Sequence, residues 1–228
     1  MVGKEGYVLE HDGAAKIALW VCESLDPDFL SGPGVRKDNF KPDPDVPVAH
    51  RAVDNDYKGS GLQRGHMVAS EDRVSTQALN DQTFFFSNMV PQNGPLNGGM
   101  WARLEAQARE WAEDGTVTDA KAISGGFFYD PEEDNPATAD GIIIFKQIGK
   151  GKVAVPTHVF KIIVGEDSGG EVKAIAFAAK NEKPKTGWKF EDFIVSIAWL
   201  QERAGLNFMP DLDPGDEKTL ESTPSPLW

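Results

Sequence analysis

Between residues 121 and 179 the chain returns four times to a run of strand composition. The runs are 121–129 (KAISGGFFY), 141–147 (GIIIFKQ), 153–164 (VAVPTHVFKIIV) and 171–179 (EVKAIAFAA), separated by loops of Gly, Asp and Pro. β-branched and aromatic residues suit a pleated, half-buried surface, and turn residues at this spacing predict an antiparallel sheet. Upstream, 7–10 reads as a short strand and 16–22 (KIALWVC) as one apolar enough to be central.

Two amphipathic helices flank these strands. In the first, 97–111, Met100, Leu104, Ala108 and Trp111 recur at three- and four-residue steps, and Gly115 closes it. The second covers 190–204 and stops at Gly205. Segment 70–79 predicts a short helix capped by Ser70, and 83–87 (TFFFS) carries a strand signal. Residues 26–47 hold DPD, SGPG and KPDPDVP, an irregular stretch long enough to wrap the surface or frame a site. From Leu212 onward the chain is acidic and proline-bearing, which predicts a mobile tail over about 211–228. No repeat or low-complexity linker divides the 228 residues, so one α+β domain over 1–228 is expected.

No apolar run reaches the length of a membrane span, and no signal peptide is visible at the amino end. The single Cys22 excludes an intrachain disulfide, and its apolar surroundings predict a buried structural thiol. The net charge of −13 runs against any tight grip on a polyanion. The acids concentrate in 110–114, 130–134 and 211–221, however, and a substrate meets the local field rather than the sum.

Chemistry concentrates between Gly61 and Glu105. His66 follows Arg64 and Gly65, and glycine there allows close backbone approach. A neutral imidazole can take a proton from water near pH 7, and a guanidinium can hold a phosphate through paired hydrogen bonds. Asn88, Gln92, Asn93 and Asn97 form an amide-rich stretch around Pro91 and Pro95, with Asn97 well suited to cap the following helix. Glu105 follows Asn97 by two four-residue steps, through Trp101, so both can lie in one stripe of the helix. Amide and carboxylate oxygens are ligands that a hard cation such as Mg²⁺ accepts. Together these are the parts for metal-assisted hydrolysis of a phosphodiester. Arg51 is a candidate phosphate contact, whereas His11 reads as a solvated surface residue in a polar turn and His158 as structural. No HExxH helix, CxxC pair or glycine-rich phosphate loop competes.

QRGHM at 63–67, SNMVPQ at 87–92 and LNGGMWARLE at 96–105 resemble the signature of the DNA/RNA non-specific endonuclease family. That family is a branch of the ββα-metal nucleases, marked by D-R-G-H, N-x-x-P-Q and L-N-Q-x-x-W-x-x-L-E in this order. The likeness continues through WVCE at 20–23, VPTHVFKIIV at 155–164, AIAFAAKN at 174–181 and AGLNFMPDL at 204–212, and so covers most of the chain. It implies a mixed, mainly antiparallel sheet with flanking helices and a ββα-metal finger.

The resemblance further implies a metal-dependent endonuclease that cuts DNA and RNA to 5′-phosphate ends. His66 becomes the general base, Asn97 the direct ligand of Mg²⁺ (or Mn²⁺), and Glu105 the holder of a water on that ion. Arg64 becomes the stabiliser of phosphate charge, with Arg51 and Asn88 as further substrate contacts. A histidine base needs its neutral form, so activity is expected to fall below the usual imidazole pKa of about 6.5. The resemblance also brings in a homodimer and a secreted or periplasmic mature chain. Two departures stand out: Gln63 replaces the family Asp, and Gly98 replaces the Gln after the helix-start Asn. Gln63 and the acidic surface motivate a second reading, a weakened enzyme that binds nucleic acid or a partner on the same scaffold. A third is a phosphodiesterase for small nucleotides.

Overall fold

In the computed structural model, which describes residues 1–210 and 220–228, the strands gather into one large sheet. The strands are β1 (Val2–Gly3), β2 (Tyr7–Asp12), β3 (Ile17–Ser24), β4 (Gln63–His66), β5 (Met89–Gln92), β6 (Thr118–Phe127), β7 (Lys146–Ile148), β8 (Val153–Val155), β9 (His158–Glu166), β10 (Val172–Lys180) and β11 (Ile194–Val195). The helices are α1 (Pro27–Leu30), α2 (Asp54–Tyr57), α3 (Gln77–Gln82), α4 (Ala102–Glu113) and α5 (Ile197–Ala204). Seven strands form the main sheet in the order β1-β2-β3-β6-β9-β10-β11, and every neighbouring pair is antiparallel. Two small hairpin-like sheets, β4-β5 and β7-β8, stand apart from it.

The main sheet is covered on both faces. Val159, Ile163, Ile175 and Phe177 point to the side where α4 lies, and Trp111 of α4 stacks on Phe177 with ring centroids 6.4 Å apart. Phe160, Ile162, Ala174 and Ala176 point to the other side, where Ile197 and Leu200 of α5 cover them. Burial on both faces explains why VFKIIV reads as a nearly continuous apolar run rather than a clean alternation. Ser196 caps α5 by accepting from the Trp199 amide at 3.1 Å, and Gly205 ends it with a φ of 67°.

The structure corrects several local expectations. Segment 83–87 forms no regular strand: only an isolated bridge joins Lys41 to Phe85, and a 3₁₀ turn follows at Phe86–Asn88. Phe84 and Phe86 are both buried, which satisfies the apolar signal without a ladder. Segment 70–79 divides into a 3₁₀ turn, Ser70–Asp72, and then α3, whose cap is Thr76 rather than Ser70. Of 141–147 only the end enters β7, while Ile142 and Ile144 are exposed, because no partner strand runs beside them. Pro156, which cannot donate to a ladder, separates β8 from β9. Segment 190–204 begins with a 3₁₀ turn and β11 before α5 starts.

The predicted tail falls partly outside the described residues, at 211–219. Within residues 220–228, Glu221 is buried and Trp228 makes contacts with the rest of the domain. Gln201 donates to the Glu221 carboxylate at 2.9 Å, Trp228 lies 5.2 Å from the Trp111 ring, and the Lys173 ammonium sits 4.0 Å from the Trp228 ring centroid.

Candidate active site

β4 and β5 pair in register, with His66 opposite Met89 and Gly65 opposite Val90. Gly65 is required by close approach: a Cβ there would overlap the Gln92 side chain reaching across from β5. The chain then enters a π-helical turn, Leu96–Trp101, that runs directly into α4. Trp101 in that turn donates its indole N–H to the His66 carbonyl at 3.0 Å, which pins the helix to β4. Two strands and a helix thus hold one compact unit on the α4 side of the main sheet. Asn97 is not the helix cap the sequence suggests, since it lies inside the π turn.

These elements border a cleft of about 280 Å³ that brings Arg64, His66, Asn97 and Glu105 together. The His66 ring meets Phe84 edge-on at 5.1 Å and lies 5.8 Å from Phe40. Its Nε2 is buried and has no hydrogen-bond partner among the described residues. Burial, with the positive charge of Arg36 adding to it, lowers the imidazole pKa to about 3. The ring is therefore neutral far below the pH of about 6.5 expected of an ordinary histidine.

Glu105, on the first turn of α4, is half-buried, and its enclosed Oε1 has no partner. Burial pushes its carboxyl up to about 8, against the opposing pull of Lys161. Asn97 donates its amide Nδ2 to Gln63 Oε1 at 2.8 Å, which leaves its own oxygen for another partner. Gly98 beside it leaves open space where a side chain would stand. Oxygen from an amide, a half-buried carboxylate awaiting a partner, and room between them fit a hard, hydrated divalent cation. No cluster of three His, Cys, Asp or Glu suited to a metal exists among the described residues, which argues against a zinc-type cage.

Three arginines face the same cleft. The Arg64 guanidinium lies 5.0 Å from the Phe40 ring and donates to Asp54, so α2 supplies a carboxylate to it. Its Nε is buried without a partner. Arg36 and Arg109 were not singled out by sequence. Arg36 comes from the long irregular stretch before α2 and donates to Ser70 Oγ at 3.2 Å. Arg109 stands one helical turn beyond Glu105 and pairs with buried Asp72 at 2.5 Å. Its i,i+4 spacing from Glu105 was the available signal; Arg36 had none beyond loop length. The same lining holds Glu71 and Glu105, and each arginine pairs with an aspartate, Arg36 with Asp38, Arg64 with Asp54 and Arg109 with Asp72.

Two expected substrate contacts are not in the cleft. Arg51 donates to the carbonyls of Val46 and Pro44 and ties down its own loop. Asn88 is fully buried: its NH₂ donates to the Val68 and Thr83 carbonyls, both at 2.9 Å, and its oxygen accepts from the Val68 amide at 3.0 Å. It shapes the backbone two residues after His66 and has no free group to offer a substrate. His158 contacts Thr157, Phe127 and Tyr129 away from the cleft, as a structural histidine would. A larger groove of about 960 Å³, lined in part by Lys58, Lys146 and Lys180, contains neither His66 nor Glu105.

Comparison with known proteins agrees with this geometry. Mitochondrial Endonuclease G of Homo sapiens is 34% identical over 210 residues, covering 92% of this chain and 69% of that protein. Mitochondrial Nuclease EXOG of Danio rerio is 36% identical over 211 residues, covering 90% of this chain and 60% of that one. A crystal structure of an EndoG/EndoGI complex, which addresses the mechanism of EndoG inhibition, matches with a TM-score of 0.84 and 28% identity, over 93% of this chain and 86% of that one. No helix among the described residues is long and apolar enough to cross a membrane. With residues 2–214 matching the family as a whole, the chain belongs to the DNA/RNA non-specific endonucleases, which are metal-dependent nucleases of the ββα-metal type.

Proposed function

We propose that residues 1–228 act as one endonuclease domain that hydrolyses phosphodiester bonds of DNA and RNA to 5′-phosphate products. The observation that carries this reading is His66, whose Nε2 has no hydrogen-bond partner, on the lining of the cleft that also holds Asn97, Glu105 and three arginines. His66 Nε2 accepts a proton from water, and the water oxygen forms a bond to phosphorus. The bond from phosphorus to the 3′ oxygen breaks with its electron pair on that oxygen, and the phosphate stays on the 5′ side. The base acts on water rather than on a ribose hydroxyl, so the sugar plays no part in the attack. That chemistry serves DNA and RNA alike.

Arg64 faces the charge that grows on the phosphate oxygens, with Arg36 and Arg109 on the same cleft lining. Asn97 and Glu105 would hold a divalent cation, Mg²⁺ with Mn²⁺ as a substitute. Bound there, the ion would neutralise phosphate charge and stabilise the departing oxygen. Phe40 and Phe84 keep bulk water from the imidazole and so preserve its neutral form. A binding-only scaffold is disfavoured, because His66, Asn97 and Glu105 share one cleft rather than lying dispersed.

The test is incubation with supercoiled plasmid and with structured RNA at low salt, in Mg²⁺ or in EDTA, beside His66→Ala. Metal-dependent cutting of both polymers that disappears in the variant is expected. An intact plasmid in Mg²⁺ and Mn²⁺ would leave the binding scaffold and the small-nucleotide phosphodiesterase, which hydrolysis of dinucleotides would tell apart. Two further parts of the reading are a homodimer, checked by sedimentation, and export as a secreted or periplasmic mature chain, checked by activity in the culture medium. The named relatives are mitochondrial nucleases and so lend export no support.

A further inference from the structure

Gln63 stands where the family pattern has an acidic residue, and its side chain is the hydrogen-bond partner of the proposed cation ligand. We propose that Gln63 is a positioning residue: it selects the orientation of the Asn97 amide in which the oxygen, not the NH₂, meets a divalent cation. The inference rests on the functional reading above and adds the residue that tunes its metal affinity.

A primary amide can turn over about its last bond with little change of shape, and one of its two faces repels a cation. In the structure Asn97 Nδ2 donates to Gln63 Oε1 at 2.8 Å, so the Asn97 oxygen is directed to the opposite side. The Gln63 backbone is fixed on β4, in register with Gln92 of β5, while its side chain is exposed. Asn97 has a fixed backbone, with its amide donating to the Asn93 carbonyl at 2.9 Å inside the π turn. Selection by a glutamine is incomplete, because a glutamine can also turn and offer its own NH₂. A carboxylate at the same place could only accept, and would add a negative charge beside the ion. The chain thus keeps the hydrogen bond and gives up both the charge and the unconditional orientation.

The test compares Mn²⁺ binding to the parent, Gln63→Met and Gln63→Glu by electron paramagnetic resonance of free Mn²⁺, without substrate. Methionine keeps the length and removes the acceptor. Gln63→Met is expected to bind about fivefold more weakly, the equivalent of one ordinary hydrogen bond, and Gln63→Glu more tightly than the parent. In cleavage assays the Gln63→Met defect should narrow as Mg²⁺ is raised, which a general loss of structure would not produce. Equal Mn²⁺ affinity in parent and Gln63→Met, with normal cleavage by the parent, overturns this proposal and leaves the nuclease reading standing. A parent that neither binds Mn²⁺ nor cuts nucleic acid removes both.

Discussion

Strand β9 delivers Phe160 and Ile162 to one side of the main sheet and Lys161 to the other, and the two sides obey different rules. On the α5 side the buried cluster is apolar, with Ile197 and Leu200 closing over Phe127, Phe160 and Ala176. On the α4 side the same strands carry Glu23, Ser124 and Lys161 inward beneath the ββα unit. Part of that polar layer is paired, although neither Glu23 oxygen has a hydrogen-bond partner. Lys161 donates to Ser124 Oγ at 2.6 Å, Arg73 donates to the Gly6 carbonyl and lies 3.1 Å from Glu23, and Arg109 holds Asp72. On the cleft lining His66 Nε2, Glu105 Oε1 and Arg64 Nε are buried without a partner, as are both Glu23 oxygens beneath the unit and Arg203 Nε on α5. A buried polar group left unpaired costs about 1–3 kcal/mol, so each such group on the cleft lining lowers stability.

The comparison breaks most visibly at His66. Replacing it with Ala is expected to slow cleavage by about a hundredfold to ten-thousandfold, the usual contribution of a general base, while the cooperative melt remains. A large drop in melting temperature instead would make His66 a structural group. The opposite pattern is expected across the sheet. Leu200→Ala empties part of the α5 packing and should cost about 2–5 kcal/mol in denaturant unfolding. The fraction still folded should cut nucleic acid at the parental rate; a defect beyond the unfolded fraction would show that the two faces are coupled.

Glu105→Gln sharpens the contrast, because it should damage activity and improve stability. The carboxyl pKa is raised from 4.5 to about 8 in the folded chain, chiefly by burial. The folded state therefore holds the proton more tightly than the unfolded state. Its contribution is fully present below the unfolded pKa and is lost as pH rises through about 8. The variant should overtake the parent in metal-free unfolding over that window, by on the order of 1–3 kcal/mol at the alkaline end. A constant difference from acid to alkaline pH would contradict the assigned burial.

The smallest effect concerns the acid limb. With the imidazole lowered to about 3, protonation of His66 removes little base between pH 7 and pH 5. An ordinary histidine would lose more than tenfold of its neutral form over that interval, from a pKa of about 6.5. The profile of kcat/KM against pH at saturating metal reports this group in the free enzyme. A limb centred near 6.5 would mean that the aromatic wall admits water to the ring.

Much of this was readable in the residues. The steps Met100, Leu104, Ala108 and Trp111 placed α4 and its buried face, and Gly115 and Gly205 marked two helix ends. The runs around β6, β9 and β10 gave the middle of the sheet. Arg64, His66, Asn97 and Glu105 lie close enough in sequence to be recognised as a group, and they share one cleft. The misses have a common physical form. TFFFS satisfies an aromatic signal by packing instead of pairing, and GIIIF has strand composition without a neighbour to bond. Asn88 belongs to an amide-rich stretch, yet its three hydrogen bonds to backbone consume it.

What the sequence determined alone is local: periodicity, turn chemistry and the residue types that a phosphodiesterase site requires. The tertiary structure decided which polar groups were left without partners, and that quantity has no local signature. Arg36 reaches Ser70 across 34 positions, and Lys161 reaches Ser124 across 37. Burial by Phe40 and Phe84, distant in sequence from His66 but packed on its ring, lowers the imidazole pKa that residue type alone would put near 6.5. Proton affinity follows from solvent exclusion and neighbouring charge, and both are properties of the assembled fold.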